Sequence, residues 1–192
     1  NGSNKQPEVR MMLVAFAAME AVHQEAYSLL LETLGKSDDM YQEFFDIEAM
    51  MEKHEYLIDF NMDTPYNMAK TMAVYSAFTE GVQLFSSFAI LLNYPRHNLM
   101  KGMGQIVTWS IRDESLHVEG LSQLFRTFMQ ENPDLWTDKL KYEIYCAAER
   151  TVELEDAFID VCFNKVTVPD LTAKEVKEYI RYIADRRLLG LG

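Results

Sequence analysis

The sequence predicts an all-α helical bundle, and two features of the 192-residue chain carry this prediction. Apolar residues recur every three or four positions over long stretches, which is the period of an α-helix. The breaks between these stretches carry helix-capping residues, and the sequence has neither strand alternation nor a glycine-rich phosphate loop. The length suits one domain, so we predict a single domain over residues 1–192.

Six helices are expected from the periodicity and the capping signals. They span about residues 8–34, 39–60, 65–93, 96–130, 133–164 and 172–189. The first stops at Gly35, and the third ends before Tyr94-Pro95. Thr64-Pro65 and Asn132-Pro133 each place a capping side chain before a proline at the first helical position. The stretch 172–175, Thr-Ala-Lys-Glu, is a capping box for the last helix.

Charge and cysteine content exclude several classes of function. The chain has 18 basic and 30 acidic residues, a net charge of −12, and no basic run. Binding to nucleic acid or to an anionic membrane surface is therefore disfavoured, and no apolar stretch is long enough to span a membrane. The two cysteines lack a C-x-x-C spacing, which argues against a disulfide framework or a thiolate zinc site and favours a reducing, cytoplasmic setting.

Three of the predicted helices carry an apolar stripe with acidic or imidazole groups at its centre. The stripe on the first helix is Met12, Phe16, Glu20, His23, Tyr27 and Leu30. The stripe on the third helix is Ala73, Ala77, Glu80, Leu84, Phe88 and Leu91. The stripe on the fourth helix is Val107, Ser110, Glu114, His117, Leu121 and Leu124. Spacings of three and four place the members of each set on one helix face.

These buried carboxylates need a shared positive partner, because a carboxylate in an apolar stripe is costly unless a cation compensates it. No Lys or Arg lies on the stripes, whereas a pair of metal ions would satisfy all three helices. Glu-x-x-His, which occurs twice, places a carboxylate oxygen and an imidazole nitrogen one turn apart. Oxygen and nitrogen ligands without thiolates suit iron or manganese. The predicted ligands are Glu20, His23, Glu80, Glu114 and His117.

The spacing also predicts a missing ligand. In dinuclear bundles of the ferritin-like type, two helices give one carboxylate each and two give Glu-x-x-His. Glu80 precedes Glu114 by 34 residues, and a partner for Glu20 at that distance would fall before residue 1. We therefore expect a further ligand-bearing helix upstream of this chain.

Four stretches of the chain resemble the small, radical-generating subunit of class I ribonucleotide reductases, a family with a ferritin-like fold. They are MEAVHQEAYS at 19–28, FTEG at 78–81 with Phe85 and Phe88 following, IRDESLH at 111–117, and YIRYIADRR at 179–187. The resemblance covers nearly the whole chain in order and spacing. The chain has no counterpart of the family's first aspartate ligand, its N-terminal tryptophan or its C-terminal tail tyrosine. We therefore expect the chain to be truncated at both ends.

The resemblance implies roles for individual residues. Glu20, His23, Glu80, Glu114 and His117 would bind a dinuclear centre, and Tyr27 would be oxidised to a radical after O2 activation. Tyr27 also lies one turn beyond His23 on the same stripe, which suits this role. Leu84 and Phe88 would shield the radical, and Asp113 would accept a hydrogen bond from a ligand histidine on the radical-transfer route.

The resemblance further implies partners, but it does not decide which two metals occupy the centre. Fe/Fe is the first expectation, with Mn/Fe and Mn/Mn using nearly the same ligands. The radical would pass to a separate large subunit that reduces ribonucleoside diphosphates, and the small subunit would be a homodimer. The alternatives are another ferritin-like diiron oxidase or ferroxidase and a metal-free helical interaction module, and Tyr27 with Asp113 favours the reductase.

Overall fold

The computed structural model describes residues 6–37, 39–58 and 61–192, and within these ranges it consists of helices and their connections, with no strand. The α-helices are α1 (Pro7–Thr33), α2 (Asp39–Phe45), α3 (Glu48–Ile58), α4 (Pro65–Val74), α5 (Phe85–Arg96), α6 (Lys101–Glu131), α7 (Asp138–Lys165) and α8 (Ala173–Leu191). The predicted all-α class is confirmed. Within the described ranges, no helix combines the length and apolar character needed to cross a membrane.

The helices group into two compact units, Asn1–Glu43 and Phe44–Gly192. The single domain over residues 1–192 stays a prediction. In the first unit, α1 begins with Pro7 in its first turn and ends before Gly35, whose φ of 68° is a left-handed conformation suited to glycine. The amides of Gly35 and Lys36 donate to the carbonyls of Glu32 and Leu31, which closes the helix as predicted.

The predicted second helix is wrong as a single element, because α2 ends at Phe45 and α3 begins at Glu48. The carbonyl of Ile47 accepts from the amides of Met50 and Met51 and starts the new helix. The break falls at aromatic, Asp and β-branched residues, all weaker helix formers than Ala or Leu. The predicted end at Phe60 lies outside the described residues.

The predicted third helix is also interrupted. It starts as expected at Thr64, whose hydroxyl accepts from the amide of Asn67 at 3.1 Å. A π-helical segment, Tyr75–Thr79, follows α4, and a turn over residues 80–84 separates it from α5. The predicted end at Asn93 is wrong, because α5 includes Pro95 in its last turn and reaches Arg96. There the ring of Pro95 packs so closely on Gly104 of α6 that a Cβ at Gly104 would lie 2.4 Å from Pro95 Cγ.

Of the later helices, α8 follows its predicted capping signal, whereas α6 and α7 start later than predicted and Asn132 does not cap α7. The helix α6 starts at Lys101, five residues later than predicted, after a connection in which Asn98 and Met100 have positive φ. Pro133 opens a short 3-10 helix, and α7 is capped by Thr137, whose hydroxyl accepts from the amide of Leu140 at 3.2 Å. The capping box of α8 is present as predicted, with Thr172 and Glu175 bonded reciprocally.

The core of the second unit is formed where α4, the π-helical segment, α6, α7 and α8 meet. Its largest fully buried apolar side chains are Phe78, Phe125, Leu140, Leu154, Ile159 and Ile180. A charged pair also lies inside it: Lys53 Nζ of α3 is 2.5 Å from Glu155 Oε1 of α7, and the Ser86 hydroxyl donates to Glu155 Oε2. Lys53 thus compensates the buried carboxylate and connects α3 to α7, while Ser86 connects α5 to the same residue.

Candidate metal centre

The helix α6 supplies two buried ligand-type side chains, Glu114 and His117. Each residue is 1% exposed, and His117 Nδ1 lies 3.5 Å from Glu114 Oε2. Val107 and Ser110 of the same face are also buried, as the predicted stripe requires. A three-residue spacing on an α-helix therefore directs a carboxylate and an imidazole of this stripe into one small region.

Glu80 reaches the same region through a local departure from α-helical geometry. Its amide donates to the carbonyl of Tyr75 at 3.0 Å, an i to i−5 bond that ends the π-helical segment. Such a segment holds an extra residue in a turn and so changes the direction of the side chains after it. Glu80 Oε2 lies 3.7 Å from His117 Nδ1, and 23% of its side chain is exposed.

Together these three residues form an acidic cluster of metal-ligand character. Glu80, Glu114 and His117 each offer a ligand atom, and these atoms lie within 4.8 Å of one another. Two carboxylates in a mostly buried region repel each other unless a proton or a cation lies between them. The donor set of carboxylate oxygens and an imidazole nitrogen fits iron or manganese, so the cluster fits the metals predicted from the sequence.

The first unit carries the same two-residue arrangement on α1. His23 Nδ1 lies 3.5 Å from Glu20 Oε2, the distance that also separates His117 from Glu114. The His23 side chain is 12% exposed and that of Glu20 is 46% exposed. Tyr27 follows one turn later on the same face of α1 and is partly buried. Both Glu-x-x-His motifs therefore have matching local geometry.

Asp113 lies on α6 beside Glu114, and its side chain is 17% exposed. Its Oδ1 is 3.3 Å from Nε of Arg112, whose own side chain is 73% exposed. This neighbouring arginine accounts for one contact of the carboxylate. The hydrogen bond from a ligand histidine stays a prediction.

Sequence reasoning missed the π-helical segment and the residues that hold the turn after it. The predicted stripe of the third helix continues from Ala77 through Glu80 to Leu84, but Leu84 is 40% exposed. The expectation that Leu84 lies on a buried face is therefore wrong, whereas the shielding of Tyr27 stays a prediction. Phe88, beyond the turn, is 5% exposed, so the buried stripe resumes there. A π-helical residue shifts the helical phase, and three- and four-residue spacings do not reveal this.

Comparison with known proteins identifies the family and the fold. The family model described as ribonucleotide reductase, small chain, matches residues 3–192. The protein named "Probable ribonucleoside-diphosphate reductase small subunit 048L" in Invertebrate iridescent virus 3 is 45% identical over 98% of this chain and 55% of its own length. The ribonucleoside-diphosphate reductase subunit beta of Chlamydia pneumoniae is 28% identical over 97% of this chain and 57% of its own length.

A solved structure has the same fold. The crystal structure of a candidate class I ribonucleotide reductase from Bacillus halodurans matches with a TM-score of 0.90 at 23% identity. The match covers 98% of this chain and 69% of the solved one. The architecture is thus a ferritin-like helical bundle, as predicted.

The match to the family model is almost complete along the chain, although the chain spans little more than half the length of the two curated relatives, 55% and 57%. The three motifs predicted to carry ligands, at 19–28, 78–81 and 111–117, all lie inside the matched residues. The chain belongs to the ribonucleotide reductase small chain family.

Proposed function

We propose that this chain holds the dinuclear metal centre of a ribonucleoside-diphosphate reductase small subunit and generates the radical used in deoxyribonucleotide synthesis. The observation that carries the proposal is the cluster of Glu80, Glu114 and His117 in a chain of this family. Three ligand-type side chains within 4.8 Å of one another are difficult to explain as packing, because two of them are acids.

The second half of the centre is proposed to come from Glu20 and His23. Bundles of this type bind two metal ions between a pair of Glu-x-x-His helices and further single carboxylates. The matching 3.5 Å separations on α1 and α6 support equivalent roles for the two motifs. In this arrangement His23 and His117 bind as neutral imidazoles and the three glutamates as carboxylates, which would offset the positive charge of the ions.

The metal pair is proposed to be Fe/Fe, with Mn/Fe or Mn/Mn as variants that use the same residues. Once loaded and exposed to O2, such a centre supplies a one-electron oxidant. Tyr27 is the residue proposed to be oxidised: it loses one electron and its phenolic proton and becomes a neutral radical. It lies four residues after His23, about 6 Å along the helix axis, which is a short distance for electron transfer.

Asp113 is proposed to orient a ligand histidine by accepting a hydrogen bond from the ring nitrogen that does not bind metal. Its largely buried position next to Glu114 suits that role. From this region the radical would pass to the large subunit, where ribonucleoside diphosphates are reduced. We place both subunits in the cytoplasm.

A homodimer is also proposed, through the face of α1 opposite Glu20. On that face Met11, Val14, Val22 and Leu29 are each more than half exposed. Four exposed apolar side chains along one helix face favour association with another apolar surface. A second copy of α1 would bury them.

The test of this function is the appearance of a tyrosyl radical. The chain is loaded with ferrous iron without oxygen, O2 is added, and the electron paramagnetic resonance spectrum is recorded. We expect a tyrosyl signal in the wild type and none in Tyr27→Phe, with equal iron content in both. Tyr182→Phe is the matched control, since Tyr182 is 60% exposed on α8 and should keep the signal. A signal that survives in Tyr27→Phe, or a wild type that binds no iron, would contradict the proposal.

A further inference from the structure

The turn over residues 80–84, directly after the π-helical segment, takes hydrogen bonds from distant basic side chains. In an α-helix the amide of Phe85 would donate to the carbonyl of Gly81, but here it donates to the carbonyl of Val82 at 2.9 Å. The Gly81 carbonyl accepts instead from Arg187 Nε at 3.1 Å, across 106 positions of sequence. The Gln83 carbonyl accepts from Lys53 Nζ at 3.0 Å. The turn thus depends on tertiary donors.

Arg187 is fixed in place by its surroundings on α8. Its guanidinium carbon lies 5.3 Å from the centre of the Phe85 ring, a cation–π arrangement, while Nε is directed at the Gly81 carbonyl. The helix that carries it is anchored by a capping box and by the buried residues Val176, Ile180 and Ala184. Burial lowers the pKa of Arg187, but a guanidinium stays charged at neutral pH, and a charged donor makes a strong hydrogen bond.

Gly81 permits this close approach because it has no side chain. A Cβ at this position would lie 2.2 Å from the Ala77 carbonyl oxygen and 2.9 Å from Arg187 Nε. Any other residue would push against the backbone of the π-helical segment and against the arginine. The close approach of Arg187 to position 81 therefore requires glycine there.

We propose that Arg187 is a positioning residue for Glu80. Arg187 binds the carbonyl of the residue next to Glu80 and so fixes the turn that presents the Glu80 carboxylate to His117. The inference rests on the proposed function, in which Glu80 is a metal ligand. Without the guanidinium, the Gly81 carbonyl would lose its donor and the turn would populate other conformations, so that Glu80 would spend less time at the site.

The experiment compares Arg187→Gln and Arg187→Lys with Arg181→Gln in the whole chain. Arg181 also lies on α8 and binds both oxygens of Asp156, at 2.6 and 3.0 Å, but it does not touch the turn. Cobalt(II) is titrated, its visible spectrum is recorded, and hydrogen exchange over residues 78–85 is measured without metal. We expect Arg187→Gln to bind Co²⁺ about tenfold more weakly, which is the lower end of the affinity loss seen when a group that supports a metal ligand is removed. Its absorption bands should change, and hydrogen exchange over the turn should be faster. Arg187→Lys should be intermediate, and Arg181→Gln should match the wild type.

Each outcome bears on the proposal. Equal Co²⁺ affinity and unchanged exchange in Arg187→Gln would overturn it, as would an equal loss in Arg181→Gln, since α8 would then act only through general stability. If the wild type binds no Co²⁺, the proposed function fails, and the exchange measurement still decides whether Arg187 holds the turn. If Arg187→Gln does not fold, Arg187→Lys is compared with the wild type instead. The inference would then be overturned if both the Co²⁺ affinity and the hydrogen exchange of Arg187→Lys equal those of the wild type.

Discussion

Glu114 and Glu155 are both fully buried glutamates of the second unit, and their neighbours give them different roles. Glu155 has a built-in cation, Lys53, at 2.5 Å and a hydroxyl donor in Ser86. Glu114 instead shares its region with His117 and with a second acid, Glu80. A buried carboxylate with its own lysine stabilises a fold only weakly or not at all, whereas two acids around an imidazole are typical of a metal site. We therefore infer that Glu155 serves the architecture, and we propose that Glu114 binds metal.

Replacing Glu114 by its neutral isostere tests that assignment. Because the amide removes one anionic ligand and little volume, we expect Glu114→Gln to bind Co²⁺ at least about tenfold more weakly. The metal-free variant should be no less stable than the metal-free wild type, since one of two neighbouring acids is gone. Titration followed by absorption and thermal unfolding provides both readouts. Glu119→Gln, an exposed site on α6, is the control, and equal affinities for the two variants would refute the assignment.

The buried position of Glu155 predicts how the stability of the protein depends on pH. Burial raises its pKa above the ordinary value of 4.5, although Lys53 opposes the shift. The folded protein then holds this proton more tightly than the unfolded chain, so the contribution of Glu155 to stability is complete below the unfolded pKa and is lost as the pH rises through the folded pKa. We expect the free energy of unfolding of the wild type, relative to Glu155→Gln, to fall as the pH rises above 4.5.

Urea denaturation at a series of pH values measures this difference, and Glu175 supplies a control of opposite sign. Hydrogen bonds from the Thr172 hydroxyl and amide lower the pKa of Glu175 in the capping box of α8. Its contribution is therefore present above the unfolded pKa and is lost as the pH falls through the folded one. We expect the free energy of unfolding of the wild type, relative to that of Glu175→Gln, to fall as the pH is lowered. If the free energy of unfolding of the wild type, relative to each Gln variant, changed with pH in the same direction for Glu155 and Glu175, this explanation would be contradicted.

The contact between α5 and α6 depends on one glycine and one proline. A methyl group at Gly104 would lie 2.4 Å from Pro95 Cγ, so the helices would have to separate. We expect Gly104→Ala to lower the free energy of unfolding by about 1–3 kcal/mol, the range for overpacking. Gly102→Ala, in the same helix with open space around it, should be neutral or stabilise by about 0.5 kcal/mol.

Urea denaturation of both alanine variants measures the difference. Adding Pro95→Ala to Gly104→Ala should restore part of the lost stability, because the ring that meets the new methyl group is removed. Equal effects of alanine at Gly104 and Gly102 would show that the close approach to Pro95 does not limit the packing of α5 on α6.

The elements that could be predicted from the sequence are those with local signals. The caps at Thr64 and Thr172 and the glycine stop at Gly35 are set by residues near them in the chain, and all three are confirmed. The i to i+3 spacing of Glu114 and His117 likewise needs only a regular helix. Local chemistry therefore located these elements and one Glu-x-x-His pair of the proposed centre.

Features that depend on distant residues or on an irregular backbone could not be predicted. The π-helical segment adds one residue to a turn without a sequence signal, and so Leu84 became exposed where a buried position was expected. The contact from Arg187 to Gly81 spans 106 positions and arises only from the packing of α8. Pro95 was expected to end its helix, but in the last turn it removes only one hydrogen bond and its ring fills the space beside Gly104.

For the whole molecule, the net charge of −12 and the exposed face of α1 bear on its partners. The charge disfavours binding to nucleic acid. If a second copy covers α1, Val22→Glu should shift the chain from dimer to monomer in analytical ultracentrifugation, because a charge would be buried in an apolar contact. Leu189→Glu on α8, where the leucine is 73% exposed, should leave the dimer intact. A wild type that sediments as a monomer would refute the homodimer.

Crystals grown with manganese show whether the two Glu-x-x-His helices share one dinuclear centre with Glu80. Anomalous diffraction at the manganese edge locates each ion independently of the protein atoms. We expect two peaks about 3.5–4 Å apart, one beside Glu20 and His23 and one beside Glu114 and His117. A single peak, or two peaks at separate places on the protein, would contradict a shared centre.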